Sequence, residues 1–286
     1  MKVIDILNQD KVTLSFEVFP PKTSTRYESV AASAEAIAQL HPDYMSVTYG
    51  AGGGTSAYTS RLARDIQNNE GVPVISHLTC VSSTRDKVRE EIETYKKYGI
   101  ENILALRGDI PEGGAPHHDY THACELIREI KSQGDFCIGA ACYPEVHPES
   151  HNYREDIRYL KEKVDAGCDY LTTQMFFDNA MYFNFMYRVR DAGINVPIVA
   201  GIMPITRAVQ VDRAIQLSGC SVPQRFRQLV DRFGDHPESM KQAGIIYASE
   251  QIIDLVSSGI NHIHVYSMNN PDVARGIYNN VSEIIK

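Results

Sequence analysis

Glu17 puts a carboxylate into the apolar segment LSFEVFPPKT, residues 14–23, and two prolines follow it. A buried ionised carboxylate costs free energy unless it is paired or takes up a proton. One interpretation is a carboxylate inside a barrel that pairs with an arginine. The other is a general acid that stays protonated beside an apolar wall of Phe16 and Phe19, with the prolines fixing the direction of the side chain.

Other residues that can bind ligands or transfer protons lie at the ends of β-rich segments further along the chain. They are Thr48, Tyr49, His77, Arg107, Asp109, Tyr143, His147, Gln174 and Tyr266. Each has a structural alternative: Arg107 and Asp109 could form a salt bridge at a rim, and His77 could be a hydrogen-bonded core histidine. With Glu17 included, seven segments each contribute such a residue, and this favours one shared site.

The elements that position these residues follow a regular order. Short segments rich in β-branched and aromatic residues alternate with longer segments whose apolar residues recur every three or four positions. The alternation predicts an α/β fold, a (βα)8 TIM barrel of eight parallel strands, with 1–286 as a single domain. A doubly wound open sheet is the alternative. Active sites of (βα)8 barrels lie at the carboxyl ends of the strands, which is where the polar residues fall.

The sequence predicts the bounds of the individual elements. The predicted strands are 12–19, 43–50, 72–80, 102–108, 136–143, 170–177, 196–203 and 262–268. The predicted helices include 27–40, 84–98, 153–166 and 180–192, and 221–239 adds extra helix between strands seven and eight.

Composition and charge argue against several classes of protein. The 286 residues carry a net charge of −8 with scattered Lys and Arg, so we expect no nucleic-acid or membrane partner. The sequence has no run of about 18 apolar residues and no signal-peptide pattern, so we expect a cytoplasmic protein. The six cysteines form no CxxC pair and are expected to be thiols. HHDYTH, residues 117–122, lies in a Gly/Pro loop, so we expect no metal site.

Several longer motifs carry a family resemblance. They are SFEVFPPK, SVTYGAGG, HLTC, ALRGD, AACYPEVHPE, KVDAGCDYLTTQMFFD and PIVAGIMPI. Their order and spacing resemble those of the 5,10-methylenetetrahydrofolate reductases across essentially the whole chain. EVFPP together with KVDAGCDYLTTQMFFD is the most specific part. The chain looks like the short bacterial form, which is the catalytic domain without a C-terminal regulatory domain.

The resemblance implies a (βα)8 barrel that holds FAD and reduces 5,10-methylenetetrahydrofolate to 5-methyltetrahydrofolate. It implies NADH or NADPH as electron donor in a ping-pong cycle, within one-carbon metabolism and methionine biosynthesis, and a homo-oligomer. Glu17 matches the acid that protonates N10 of the folate, and Asp109, near the flavin pyrimidine, is the second catalytic residue.

The resemblance also assigns binding positions. Those for the flavin are Thr48, Tyr49, Ala51, His77, Arg107, Gly108, Asp109, Tyr120, Tyr143, His147, Asp156 and Lys163. Those for the folate or the nicotinamide are Gln174, Gln210 and Tyr266.

Three positions depart from the family pattern and leave alternatives open. Ala214 stands where an aromatic residue is frequent, Asn270 where a basic residue is frequent, and Glu162 where a basic residue often precedes Lys163. The first two leave the folate tail contacts and the electron donor open. One alternative keeps the folate reduction but takes electrons from a partner subunit or ferredoxin, with FMN in place of FAD. Another is a non-catalytic folate- or partner-binding barrel, against which the retained Glu17 and flavin set argue.

Overall fold

The fold is a closed barrel of eight parallel strands, each paired with its neighbours in chain order and β8 paired with β1. This computed structural model describes residues 1–50, 56–110, 114, 117 and 119–286. The strands are β1 Thr13–Val18, β2 Tyr44–Val47, β3 Val74–Thr79, β4 Asn102–Leu106, β5 Cys137–Cys142, β6 Tyr170–Thr173, β7 Ile198–Ile202 and β8 His262–Tyr266. The predicted (βα)8 barrel is confirmed, and the open doubly wound sheet is wrong.

Each predicted strand segment contains one strand, but the segments extend past the strands by up to four residues. The largest excess follows β6, where Gln174 was predicted inside the strand. The backbone N–H of Gln174 still donates to Cys142 O at 2.7 Å, so the chain leaves the sheet directly after it. Polar residues predicted at strand ends therefore begin the loops above the barrel.

One helix precedes β1, and the other helices follow the strands and cover the outside of the barrel. They are α1 Val3–Leu7, α2 Tyr27–Ala38, α3 Ser56–Glu70, α4 Arg85–Lys97, α5 Ala123–Gln133, α6 Tyr153–Asp165, α7 Asn179–Asp191, α8 Val209–Ser218, α9 Gln224–Phe233, α10 Pro237–Ser257 and α11 Pro271–Val281. The four predicted helices named above agree with α2, α4, α6 and α7 to within two residues at each end. The predicted extra helix is confirmed as α9 and the start of α10.

Local sequence sets the ends of these helices. The Thr84 hydroxyl accepts a hydrogen bond from the backbone N–H of Lys87 at the start of α4. Asn152 caps α6 in the same way, accepting from the N–H groups of Arg154 and Glu155. These caps fix where the chain leaves the loops that surround the mouth of the barrel.

Alternation along the strands separates the barrel interior from the outer core. Leu14, Phe16 and Val18 belong to the large apolar cluster between the strands and the helices. Ser15 and Glu17 alternate with them and point inward. At the amino ends of the strands, α1 packs with Tyr44 and Tyr170 in a second cluster that closes the floor. In the described part of the chain, the interior is therefore open at the carboxyl ends.

Of the residues that the structure describes, no helix is long and apolar enough to cross a membrane. All six cysteines are free thiols, as predicted, and five of them are buried.

Candidate active site

A cavity of about 690 Å³ opens at the carboxyl ends of the strands. The predicted site residues that line it are Glu17, Thr48, Tyr49, His77, Arg107, Gly108, Asp109, Tyr143, His147, Asp156, Lys163, Gln174, Gln210 and Tyr266. Residues distant in sequence thus meet at one mouth, as the barrel topology requires. Ala51 lies outside the described residues.

Tyr120 does not line this cavity. It is 2% exposed, and the guanidinium of Arg85 lies 5.0 Å from the centre of its ring. Burial raises the pKa of the Tyr120 hydroxyl to about 12. Its flavin contact stays a prediction.

The surroundings of Glu17 differ from both sequence interpretations. Phe16 faces the helices and Phe19 is 37% exposed, so the predicted apolar wall is wrong. No arginine pairs with Glu17 among the described residues. Two histidines face it instead: His77 Nε2 lies 3.6 Å and His264 Nε2 lies 3.8 Å from Glu17 Oε2.

Burial, opposed by the carboxylate of Glu17 and reinforced by the neighbouring His264, lowers the pKa of His77 to about 4. His77 is therefore neutral near pH 7. Its Nε2 atom is buried and has no hydrogen-bond partner among the residues described. The imidazole therefore presents an unsatisfied polar atom to the carboxyl of Glu17.

His264 is a site residue that sequence analysis missed. Its Nδ1 lies 2.7 Å from Ser15 Oγ and its Nε2 lies 3.2 Å from Ser46 Oγ, and its ring stacks on Tyr44 with centroids 6.3 Å apart. The signal was available, because alternation along HIHVY puts His264 on the same face as Tyr266.

Tyr266 packs edge-on against His264, with ring centroids 5.5 Å apart. Its hydroxyl donates to Thr173 O at 2.5 Å, and burial raises its pKa well above the usual value. A Cβ at position 201 would lie 2.5 Å from this hydroxyl. Gly201 is therefore required for the ring of Tyr266 to reach across the barrel.

Arg107 pairs with Glu149 and not with Asp109, so the predicted rim salt bridge within RGD is wrong. The two guanidinium nitrogens donate to the two carboxylate oxygens of Glu149 at 2.5 and 2.6 Å. These hydrogen bonds raise the pKa of Arg107. Asp109 has no ion-pair partner in the described part of the chain, which leaves its carboxylate available to a ligand.

A partly buried cation and a carboxyl group lie on α6. Lys163 Nζ donates to Ala141 O at 2.8 Å, and burial lowers the pKa of Lys163. Asp156 accepts a hydrogen bond from Ser150 Oγ at 3.2 Å, and burial raises the pKa of Asp156. Ammonium, carboxyl and hydroxyl groups on one wall suit a ligand with phosphates and sugar hydroxyls.

The loop before α6 contains a strained residue. Val146 has a φ of 75°, a left-handed conformation that is rare for a β-branched side chain. The next residue, His147, packs against Tyr143 with ring centroids 4.5 Å apart. Burial lowers the pKa of His147. The strained turn therefore sets the direction in which His147 enters the cavity.

The glutamines predicted to bind substrate are partly engaged within the protein. Gln210 Oε1 accepts from the backbone N–H groups of Thr206 and Arg207 at 3.0 and 2.9 Å before α8. Gln174 Oε1 accepts from the N–H of Met175 at 3.0 Å. Both amide groups retain their NH2 donors for a ligand.

The three departures from the family pattern lie in different environments. Ala214 is 3% exposed, packs in an apolar cluster and lines the cavity. Asn270 caps α11 by accepting from the N–H groups of Asp272 and Val273. Glu162 lines the cavity beside Lys163.

A closed barrel with a cavity of this kind at its carboxyl end belongs to the class of (βα)8 enzymes. A family model described as methylenetetrahydrofolate reductase matches residues 2–282. The chain belongs to the methylenetetrahydrofolate reductase family, which confirms the resemblance, and it is an enzyme of the oxidoreductase class.

Individual relatives agree with this family assignment. The chain is 36% identical to a 5,10-methylenetetrahydrofolate reductase of Pectobacterium carotovorum and 35% identical to that of Escherichia coli, each match covering 94% of this chain and 90% of the relative. It is 35% identical to methylenetetrahydrofolate reductase (NADH) 1 of Arabidopsis thaliana, covering 99% of this chain and 51% of that protein.

A solved structure shares the fold. A Clostridium thermocellum protein described as binding two copies of 5-methyl-5,6,7,8-tetrahydrofolic acid has a TM-score of 0.69 and 13% identity, covering 99% of this chain and 100% of that one.

Proposed function

We propose that the protein reduces 5,10-methylenetetrahydrofolate to 5-methyltetrahydrofolate, with FAD as cofactor and NADH or NADPH as donor. Family membership supports the reaction. The observation that carries the proposal is the carboxyl group of Glu17 in the cavity, faced by two buried histidines and surrounded by ligand-binding side chains.

The residues of the cavity fit FAD. Its volume of about 690 Å³ lies within the range of about 300–1,000 Å³ that is usual for ligand sites. Lys163, Asp156 and His147 would hold the diphosphate and ribityl groups, and Arg107 and Asp109 the flavin ring. When bound, FAD would carry hydride from the nicotinamide nucleotide to the folate.

Glu17 would act as the general acid. Opening the five-membered ring of the folate breaks the bond between the methylene carbon and N10, and N10 must take a proton. The carboxyl group of Glu17 supplies this proton and becomes a carboxylate, while the methylene carbon remains on N5 as an iminium ready to accept hydride. The NH2 groups of Gln174 and Gln210 would bind the folate, and the carboxylate of Asp109 would accept from the pterin amino group.

We further propose that residues 1–286 act as one catalytic domain in the cytoplasm, as a homo-oligomer. One observation favours a second candidate, in which a partner subunit or ferredoxin supplies the electrons. Ala214 leaves the helix after β7 without an aromatic side chain to stack on a nicotinamide nucleotide.

The visible spectrum of the purified protein tests the proposal. The protein should be yellow, or become yellow with added FAD, and bound FAD should raise its melting temperature. Anaerobic NADH or NADPH should bleach the flavin, and methylenetetrahydrofolate should restore the colour. Bleaching by reduced ferredoxin alone would favour the second candidate. A colourless protein whose melting temperature does not respond to FAD or FMN would contradict both.

A further inference from the structure

The hydrogen-bond partners of His264 determine which of its nitrogens carries a proton. Ser15 Oγ lies 3.1 Å from Ile263 O, a carbonyl oxygen that can only accept, and 2.7 Å from His264 Nδ1. When the single hydroxyl hydrogen of Ser15 points to the carbonyl, Oγ accepts from Nδ1. This arrangement places the proton of a neutral His264 on Nδ1.

Nε2 of this tautomer is an acceptor. Ser46 Oγ, 3.2 Å away, can donate to it, and Glu17 Oε2 lies 3.8 Å away. The 3.8 Å separation from Glu17 is longer than a hydrogen bond, so Nε2 acts on Glu17 through its lone pair. An ionised carboxylate at Glu17 is repelled by that lone pair, and a neutral carboxylic acid is not. His77 Nε2, which has no hydrogen-bond partner among the described residues, lies 3.6 Å from the same oxygen.

We propose that His264 is a positioning residue for Glu17: it is held as the Nδ1–H tautomer, and its unprotonated Nε2 favours the carboxylic acid form of Glu17. The inference rests on the proposed role of Glu17 as the acid of folate reduction. The titratable groups that face this pair are His77 on β3, Tyr44 on β2 and Tyr266 on β8. The hydroxyl of Tyr266 donates elsewhere and does not compete for Nε2.

The tautomer can be observed without any reaction. Long-range ¹H–¹⁵N correlation spectra of protein with ¹⁵N-labelled histidines distinguish the two imidazole nitrogens, and the signals of His264 are those lost in His264→Phe, or in His264→Gln if the Phe variant does not fold. We expect a proton on Nδ1 and an unprotonated Nε2 near neutral pH. A proton on Nε2 would make His264 a donor to a carboxylate and would overturn the inference.

The chain offers a matched control. His262 lies two residues earlier on β8, its Nδ1 is 3.1 Å from the hydroxyl of Thr13, and no contact with Glu17 is found in the described structure. In rapid mixing, His264→Phe should slow reoxidation of the reduced enzyme by methylenetetrahydrofolate about five- to tenfold, a loss of about 1.0–1.4 kcal/mol. Reduction by NADH should change by less than about twofold. His262→Phe should match the parent in both steps.

A conservative variant and Glu17→Gln distinguish failure of the acid assignment of Glu17 from failure of the inference about His264. His264→Gln keeps an amide oxygen that can accept from Glu17 and should recover part of the loss. If Glu17→Gln reoxidises at the parent rate, the acid assignment fails and this inference fails with it. If Glu17→Gln is slow while His264→Phe equals the parent, the acid assignment stands and only the inference about His264 is overturned.

Discussion

His77 should make the stability of the folded protein depend on pH in a defined window. Its pKa is lowered from 6.5 to about 4, because burial disfavours the charged imidazole. An unfolded chain protonates this histidine near pH 6.5 and the folded protein does not. The stabilisation is therefore fully present above pH 6.5 and is lost as the pH falls to about 4.

The size of the effect follows from the shift. A difference of about 2.5 pKa units corresponds to about 3 kcal/mol of the free energy of unfolding. In His77→Asn this contribution is absent. Between pH 6.5 and 4 the free energy of unfolding of the parent should fall by about 3 kcal/mol more than that of the variant.

Guanidinium titrations at a series of pH values measure how the free energy of unfolding of the parent and of the variant changes with pH. A constant offset between parent and variant reports lost packing and leaves the comparison of slopes intact. His151→Asn, which removes an exposed imidazole, controls for the loss of a histidine as such. Parallel pH profiles for the parent and His77→Asn would refute the reasoning, since they would mean that His77 takes up its proton equally in the folded and unfolded states.

Three further predictions concern other parts of the site. Asp109→Asn removes a carboxylate without an ion-pair partner in the described residues, and it should raise the midpoint potential of the bound flavin by about 30 mV for each 1.4 kcal/mol of charge interaction lost. An unchanged midpoint potential with unchanged folate kinetics would make Asp109 a structural residue. Arg213 lines the cavity without an ion pair among the residues described, so Arg213→Gln should raise KM for an anionic substrate about two- to fivefold with kcat unchanged. Arg207 lies outside the lining, and Arg207→Gln should leave KM unchanged. Val146→Gly removes the strain of a left-handed conformation that costs about 1–2 kcal/mol, although the greater backbone entropy of glycine in the unfolded chain offsets part of this gain. Calorimetry should show a higher melting temperature for the variant, and a lower melting temperature would show that Val146 is not strained.

The barrel could be predicted from sequence because two periodicities repeat eight times. Strands such as β3 and β7 are short segments rich in β-branched residues between polar turns, and the intervening helices carry apolar residues at helical spacing. The topology then requires the strand ends to converge. For this reason the polar residues predicted at the strand ends line one cavity.

The environment of Glu17 was predicted wrongly for a reason that the sequence itself contains. Neighbouring residues on a strand face opposite sides, so Phe16 could not share a wall with Glu17. His264 was missed for the same reason, since alternation from Tyr266 leads directly to it. Its approach to Glu17 also depends on the register between β1 and β8, which pairs Glu17 with Tyr266.

Contacts between distant loops could not be predicted. Arg107 pairs with Glu149, 42 residues further on, and nothing in RGD distinguishes that partner from the nearer Asp109. The use of Gln210 as a cap before α8 likewise depends on how the chain turns after β7. Such pairings are set by tertiary packing, and local sequence patterns do not specify them.

The central claim is that Glu17 delivers the proton that opens the folate ring. Glu17→Gln keeps the size of the side chain and a hydrogen-bond donor but cannot release a proton near neutral pH. Rapid mixing of the reduced variant with methylenetetrahydrofolate measures the folate step alone, and mixing of the oxidised variant with NADH measures the other. We predict a loss of about 10²-fold or more in the folate step, with flavin content and reduction by NADH close to the parent. Reoxidation at the parent rate would show that Glu17 is a structural carboxylate.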